Sequence, residues 1–198
     1  MKEQLQKDFE NTIRNLSLSQ KDIEIKKFSL DNFINKGFPN RREEDWKFSD
    51  LNQIINKNIG ELSFYNDYTS TNKVDTSVFV DGLVHNKIVF INGRIEKIDF
   101  DYEKKDQIEI IDQSEIINKF ENNNSLSDLN SAFTNKSFKI VVKKGYQLSK
   151  PLIIYHTTNS KIWSKNINLR LDFELQEDSS LRSVSYTHLR AHETEASL

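Results

Sequence analysis

The sequence predicts an α+β protein with a helical N-terminal part and a strand-rich second part. In the first 36 residues, apolar side chains recur every three or four positions, which is helical spacing. Beyond Ser137 they alternate with polar side chains, which is strand spacing. Between these parts, an Asn92-Gly93 pair joins two short apolar runs and predicts a hairpin.

Composition narrows the classes of function. The 28 basic and 30 acidic residues are interspersed and nearly balance, so we expect no binding to nucleic acid or to a membrane surface. The chain has no cysteine, which excludes thiolate nucleophiles, thiolate zinc sites and cysteine-ligated clusters. No run approaches the ~18 apolar residues of a membrane span and the N-terminus is charged, so we expect a cytoplasmic protein.

Residues 1–60 are predicted to form an N-terminal helical region. A second helix should end at Gly37 and Pro39, because glycine adopts the cap conformation and proline cannot continue a helix. Ser49 is a candidate cap for a short third helix. Residues 61–75 are polar, and we expect a linker there. The first helix carries its apolar residues on one face: Leu5, Phe9, Ile13 and Leu16.

Residues 76–183 are predicted to carry the strands. The Asn92-Gly93 turn should join strands at residues 87–91 and 94–98, and another strand is expected at 107–111. Two short helices are expected at 114–120 and 127–133. The later alternating strands have the spacing of a β solenoid, a sandwich or a barrel, and periodicity alone leaves these three open.

Residues 37–51, GFPNRREEDWKFSDL, are the most distinctive stretch. They form a charged run with two aromatic side chains, followed by a cap residue and an apolar helix. On physical grounds we expect Trp46 and Phe48 to dock the helical region on the strands, while the charged groups stay in solvent and pair weakly. Nothing in the stretch has the pattern of a catalytic acid and base.

This stretch resembles the SufD family of iron–sulfur cluster assembly proteins. In that family a glycine, an apolar residue and a proline precede a basic pair, an acidic residue and a Trp-Lys-aromatic sequence. The resemblance extends to KIVFINGR at residues 87–94 and to residues 129–155, and it covers roughly residues 1–183. The sister protein SufB is similar but has a different early motif. The matching residues here are Gly37, Phe38, Pro39, Arg41, Arg42, Glu44, Trp46, Lys47 and Phe48.

The resemblance implies a fold and a role. Residues 76–183 would hold the first rungs of a right-handed parallel β-helix, with a leading hairpin and short helices. The protein would be a scaffold or accessory subunit of the SUF (SufBCD) complex, acting in cluster assembly and iron acquisition, and not an enzyme. Its implied partners are SufB-like and SufC-like (ATPase) subunits. Iron or an iron–sulfur cluster, with flavin as a further candidate, would belong to the intact complex and not to this piece.

No catalytic, cofactor-binding or metal residue is carried over from the family, because its functional histidine lies past the end of this chain. Residues 184–198 lose the alternation after Tyr186, and the string SYTHLRAHET resembles a translated sequencing adapter. We therefore expect a non-native tail on an N-terminal fragment. His188 and His192 have metal-ligand spacing, but Glu193 follows the second histidine, so the pattern is not H-E-x-x-H and we expect no metal.

Two other classes of function stay open from the residues alone. The hypothesis of a carbohydrate-binding solenoid or sandwich module is based on the alternating strands and on aromatic residues such as Trp163. The hypothesis of a hydrolytic enzyme is based only on the pair His188 and His192. A solenoid that stops midway would expose a strand edge near residues 169–181, which predicts poor solubility.

Overall fold

The computed structural model describes residues 2–14, 16, 18–58, 62–65, 73–113, 124–159, 162 and 165–188. Within these ranges the chain is a mixed α/β protein with four α-helices and seven strands in two sheets. The chain divides into two compact units. The first contains Met1–Asn66, Ile111–Lys139 and Ser164–Asp172, and the second contains Asp67–Ile110, Ile140–Trp163 and Phe173–Leu198.

The helices are α1 (Lys2–Arg14), α2 (Gln20–Lys36), α3 (Leu51–Asn58) and α4 (Ser125–Phe133). Short 3₁₀ turns lie at Glu44–Trp46 and Thr76–Val78. The strands are β1 (Asn86–Ile91), β2 (Arg94–Asp99), β3 (Ile108–Asp112), β4 (Lys136–Val142), β5 (Leu152–Thr157), β6 (Leu169–Leu175) and β7 (Ser183–His188).

Helix ends in the first unit follow local capping chemistry. At the start of α2, the Ser19 hydroxyl accepts a hydrogen bond from the Asp22 N–H at 3.2 Å. At its end, Gly37 has φ 73° and donates its N–H to the Phe33 carbonyl, which confirms the predicted stop. The start of α3 is capped by the Asp50 carboxylate, which accepts from Gln53 N–H at 3.0 Å. The predicted cap, Ser49, was therefore one residue early.

The first unit is built around an aromatic core. Phe133 of α4 stacks on Phe64 with the ring centroids 3.6 Å apart and meets Phe9 of α1 edge-on at 6.1 Å. Phe33 meets Phe38 edge-on at 5.0 Å. Burying each such side chain stabilises the fold by about 1.5–3 kcal/mol. The buried apolar residues of this core are Leu5, Phe9, Leu30, Phe33, Phe38, Ile55, Leu62, Leu129, Ala132 and Phe133.

One sheet has the strand order β2-β1-β5-β7 and lies in the second unit. Strands β1 and β2 form the predicted antiparallel hairpin, and its turn residues Asn92 and Gly93 have φ 52° and 80°. Strand β1 pairs with β5 in parallel, and β5 pairs with β7 in parallel. The other sheet has the order β3-β4-β6.

The prediction of a right-handed parallel β-helix is wrong. In the described part of the chain the strands form two separate mixed sheets, and neither sheet is closed or wound into a solenoid. Two-residue alternation reports which face a side chain occupies and leaves the pairing partner of each strand undetermined. The antiparallel β1–β2 hairpin also makes its sheet mixed, whereas solenoid rungs require parallel neighbours throughout.

Other predicted elements have separate outcomes. Residues 107–111 and 127–133 are confirmed as β3 and α4, whereas the helix expected at 114–120 falls outside the described residues. Strand β7 begins at Ser183 and ends at His188, so the strand pattern extends beyond the expected loss of alternation after Tyr186. The non-native origin of residues 184–198 stays a prediction, and residues 189–198 are outside the described ranges.

Candidate functional site

The stretch with the family resemblance forms a hydrogen-bonded turn in the first unit. Phe38 at its start is 3% exposed and belongs to the aromatic core. Beyond it, Asn40 N–H donates to the Glu43 carboxylate at 3.2 Å, and the Asn40 side chain accepts from Arg42 N–H at 3.0 Å. Trp46 N–H donates to the Glu43 carbonyl at 2.9 Å. The turn is therefore anchored in the core at one end and fixed by its own polar groups.

The far end of this turn displays an aromatic ring to solvent. Phe48 is 92% exposed, and the Lys47 ammonium lies 6.0 Å from its ring centroid. Trp46 is half-buried. The expectation that Phe48 docks the helices on the strands is therefore wrong. We call the exposed residues of this turn the motif surface: Arg41, Arg42, Glu43, Glu44, Asp45, Lys47 and Phe48.

The motif surface has the chemistry of a contact site. Aromatic rings and arginines contribute strongly at protein interfaces, because they bury a large apolar area and hydrogen-bond at the rim. Burying the Phe48 ring on another molecule would contribute about 1.5–3 kcal/mol. Because the turn is already ordered, little further backbone entropy would be lost on binding.

A buried carboxylate, Glu103, organises one end of the second unit. It accepts five hydrogen bonds: from the Asn86 amide at 2.8 Å, the Tyr146 hydroxyl at 2.7 Å, the Ser149 N–H and hydroxyl at 3.1 Å each, and the Lys150 N–H at 3.0 Å. Burial alone raises its pKa, but these donors outweigh burial and lower the pKa to about 2. Glu103 therefore stays ionised and holds the residues before β5 in place.

A buried tyrosine–histidine pair lies beside the parallel strands of the second unit. His85 Nδ1 lies 2.6 Å from the Leu83 carbonyl, which only accepts, so this nitrogen is the donor. The Tyr155 hydroxyl lies 2.7 Å from His85 Nε2 and accepts from Val80 N–H at 3.1 Å. Burial raises the Tyr155 pKa, the Val80 hydrogen bond opposes this, and Tyr186 adds to it. These polar atoms bind partners within the chain, so the pair has the geometry of a structural link.

A buried lysine, Lys26, closes the C-terminal end of α4 in the first unit. Its ammonium donates to the carbonyls of Ser131 at 3.2 Å, Ala132 at 3.4 Å and Thr134 at 2.5 Å. These carbonyls lie at a helix end, where intrahelical partners run out and a positive charge is favoured. Burial lowers the Lys26 pKa from 10.5 to about 8, and Asp22 offsets part of that shift.

The residues singled out as alternative site candidates do not form a described site. The His188 side chain, His192 and Trp163 all lie outside the described residues. His156 stacks on Phe90 with centroids 5.3 Å apart, and burial lowers its pKa. Across the ranges that the structure describes, no three histidine, aspartate or glutamate side chains are grouped closely enough to hold a metal ion.

The second unit also has an open groove of about 480 Å³. Asp101 lies in it together with Lys104 and Lys105, so charges of both signs partly neutralise one another there. The groove therefore offers mainly apolar contact and no strong recognition of an anion. Its apolar lining comprises Ile98, Phe100, Ile108 and Ile110.

Sequence reasoning located the motif surface but missed the buried polar groups. Lys26 lies in a run of alternating apolar and charged residues, IEIKKF, and nothing in that run separates it from the exposed Lys27. Glu103 lies in a polar loop segment, where carboxylates are usually solvated. Tyr155 ends an apolar run after Pro151, so its burial was predictable although its histidine partner was not.

Comparison with known proteins does not identify a family for this chain. No protein-family model matches the chain, and no curated protein matches it. Each helix in the described ranges is too short or too polar to cross a membrane.

Proposed function

We propose that this protein is a scaffold subunit of a SUF-type iron–sulfur cluster assembly complex in the cytoplasm, and that it acts by binding other subunits and not by catalysis. Support for the family comes from the residues of the 37–48 stretch and from KIVFINGR at residues 87–94. Both stretches lie on ordered elements, an anchored turn and the β1–β2 hairpin. The proposal does not depend on a β-helix.

The observation that carries the proposal is the motif surface. It combines an aromatic ring that is 92% exposed with charged side chains on a preformed turn, and such a combination suits binding to a protein. Glu103, Tyr155 and Lys26 carry side chains of types that can act as acids or bases. Each of them instead binds partners inside its own unit. Their geometry supports structural roles.

The proposed partners are SufB-like and SufC-like subunits, the latter an ATPase. Iron or an iron–sulfur cluster, with flavin as a further candidate, would be handled at the level of the assembled complex. A binding subunit of this kind would contribute by holding its partners in a fixed geometry.

Co-purification from one expression host tests the proposal. The tagged chain is produced together with SufB-like and SufC-like subunits from the same genome, and we expect both to be retained. Phe48→Ala should reduce retention, because it removes the exposed ring. Phe28→Ala is the matched control, since Phe28 lies on α2 in the same unit and is 48% exposed but outside the motif surface. Wild-type chain that retains neither subunit would refute the proposed function.

A further inference from the structure

The two-residue turn of the β1–β2 hairpin is buried on one side, although hairpin turns usually lie at the protein surface. Asn92 and Gly93 form the turn with φ 52° and 80°, and Asn92 is only 1% exposed. The Asn92 backbone N–H donates to the Thr157 carbonyl at 3.0 Å. The Thr157 hydroxyl donates in turn to the Phe90 carbonyl at 3.0 Å. The end of β5 therefore holds the backbone of the turn.

Asn159 binds both polar groups of the Asn92 side-chain amide. Asn92 Nδ2 donates to Asn159 Oδ1 at 2.8 Å, and the Asn159 N–H donates to Asn92 Oδ1 at 3.1 Å. Both residues belong to the second unit. Because one of these partners accepts and the other donates, the two hydrogen bonds fix the direction in which the Asn92 amide points.

Asn92-Gly93 is also a chemically reactive dipeptide, and it is the single Asn-Gly pair in the sequence. Glycine has no side chain, so its backbone nitrogen is sterically accessible. When the Gly93 nitrogen attacks Asn92 Cγ, an N–Cγ bond forms, the Cγ–Nδ2 bond breaks, and ammonia leaves with the proton of the Gly93 N–H. Water then opens the cyclic imide at either carbonyl and gives aspartate or isoaspartate. The reaction consumes water and involves no oxidation or reduction.

We propose that Asn92 is a latent deamidation site and that Asn159 keeps it unmodified. Ring closure requires Asn92 Cγ to rotate onto the Gly93 nitrogen, and this rotation breaks both hydrogen bonds to Asn159. Leaving the buried amide without its partners is costly. The turn adds a second barrier, because a two-residue hairpin turn fixes the backbone dihedral angles of both its residues. The side-chain pair and the turn therefore oppose the same reaction.

Deamidation of Asn92 would damage the hairpin at its turn. Isoaspartate adds a carbon atom to the backbone between residues 92 and 93, and the register of a hairpin depends on the length of its loop. Aspartate would place an oxygen where Nδ2 now donates, and this oxygen would face Asn159 Oδ1, which also only accepts. Asn159 therefore protects the pairing of β1 with β2. This inference is independent of the proposed function and of the motif surface.

Peptide mass spectrometry of the whole chain, aged in mildly alkaline buffer, tests the proposal. Trypsin cleaves after Lys87 and Arg94 and releases IVFINGR, residues 88–94, in which Asn92 is the only asparagine. Conversion of the amide to an acid raises the mass of this peptide, so the rate at Asn92 is measured directly. Folded wild-type chain should convert at least about tenfold more slowly than the same chain in urea, because buried hydrogen bonds must open first.

Variants assign the protection to Asn159. Asn159→Ala should speed conversion by about fivefold to tenfold, because it removes the acceptor of Asn92 Nδ2. Asn159→Asp is the matched control, since it keeps an acceptor oxygen and should convert no faster than wild type. Thr157→Val removes the neighbouring hydrogen bond to Phe90 and leaves the amide pair intact, so it controls for general loosening of the turn.

Circular dichroism checks that each variant remains folded. Folded wild-type chain that converts as fast as the chain in urea overturns the proposal, and this comparison needs no variant. The proposal is also overturned if folded Asn159→Ala converts at the wild-type rate, or if either control variant converts as fast as Asn159→Ala.

Discussion

The two compact units enclose different kinds of interior. The first is filled by interlocking aromatic and aliphatic side chains from α1, α2 and α4. The second combines an apolar ladder on β1 and β5 with buried polar groups that bind one another, including Glu103 and the Tyr155–His85 pair. Packing is therefore the main source of stability in the first unit. In the second unit, hydrogen bonds to ionisable groups add a contribution to stability that depends on pH.

One buried ionisable group in each unit sharpens this contrast. Lys26 and Glu103 both have lowered pKa values. For the lysine a lowered pKa means that the charged form is destabilised, because burial dominates. For the carboxylate it means that the charged form is stabilised, because hydrogen-bond donors outweigh burial. The same direction of shift therefore has opposite consequences for folding.

The largest expected effect is at Phe133. Phe133→Ala removes a ring that is 2% exposed, stacked on Phe64 and in contact with Phe9, and we expect a loss of about 3–5 kcal/mol in the free energy of unfolding. Denaturant titration with fluorescence detection measures the loss. A loss well under 1 kcal/mol would show that packing does not dominate the first unit.

Glu103 should make the second unit sensitive to acid. Its folded pKa of about 2 lies below the ordinary 4.5, so its stabilisation is fully present above pH 4.5 and is lost as the pH falls towards 2. The difference amounts to about 3 kcal/mol. Glu103→Gln should lack this component when unfolding is followed from pH 6 to pH 2.

The control for acid sensitivity is Glu109→Gln, because Glu109 is an exposed residue of β3. It should retain the wild-type dependence of stability on pH. If Glu103→Gln and wild type lost stability in parallel between pH 4.5 and pH 2, the hydrogen-bonded carboxylate would not be the source of acid sensitivity.

Lys26 should produce a slope of the same sign at alkaline pH. Its folded pKa of about 8 lies below the ordinary 10.5, so between these values the unfolded chain binds more protons and stability rises with pH. Relative to Lys26→Met, wild type should gain up to about 3 kcal/mol across this range. Urea titrations at several pH values measure the difference. The exposed neighbour Lys27 gives the control Lys27→Met, which keeps Lys26 and should therefore show the same gain as wild type.

The sequence predicted local structure better than strand pairing. Gly37, the Asn92-Gly93 turn and the alternation in β4 and β6 act over a few residues, and the corresponding helix end, hairpin and strands are present. The pairing of β1 with β5 joins residues more than 60 positions apart, and no local pattern encodes it. The β-helix prediction failed at this step.

The candidate site was predictable in position but not in exposure. The composition of residues 37–51 marked the stretch as unusual, yet the exposure of Phe48 depends on where the turn meets the aromatic core through Phe38. The roles of Lys26 and Glu103 could not be predicted from the sequence for a related reason. Both depend on acceptors or donors that are distant in sequence, such as the α4 carbonyls for Lys26.

The smallest expected effect on stability is at Phe48, although its residue type is the same as that of Phe133. Phe48→Ala removes a ring that is 92% exposed, so the free energy of unfolding should change by less than about 0.5 kcal/mol. Denaturant titration beside Phe133→Ala measures both values in one unit. A loss above about 1 kcal/mol would mean that the ring packs within the chain, and the motif surface could not then serve as a binding site. An unchanged stability makes any loss of partner retention in Phe48→Ala a direct effect on binding.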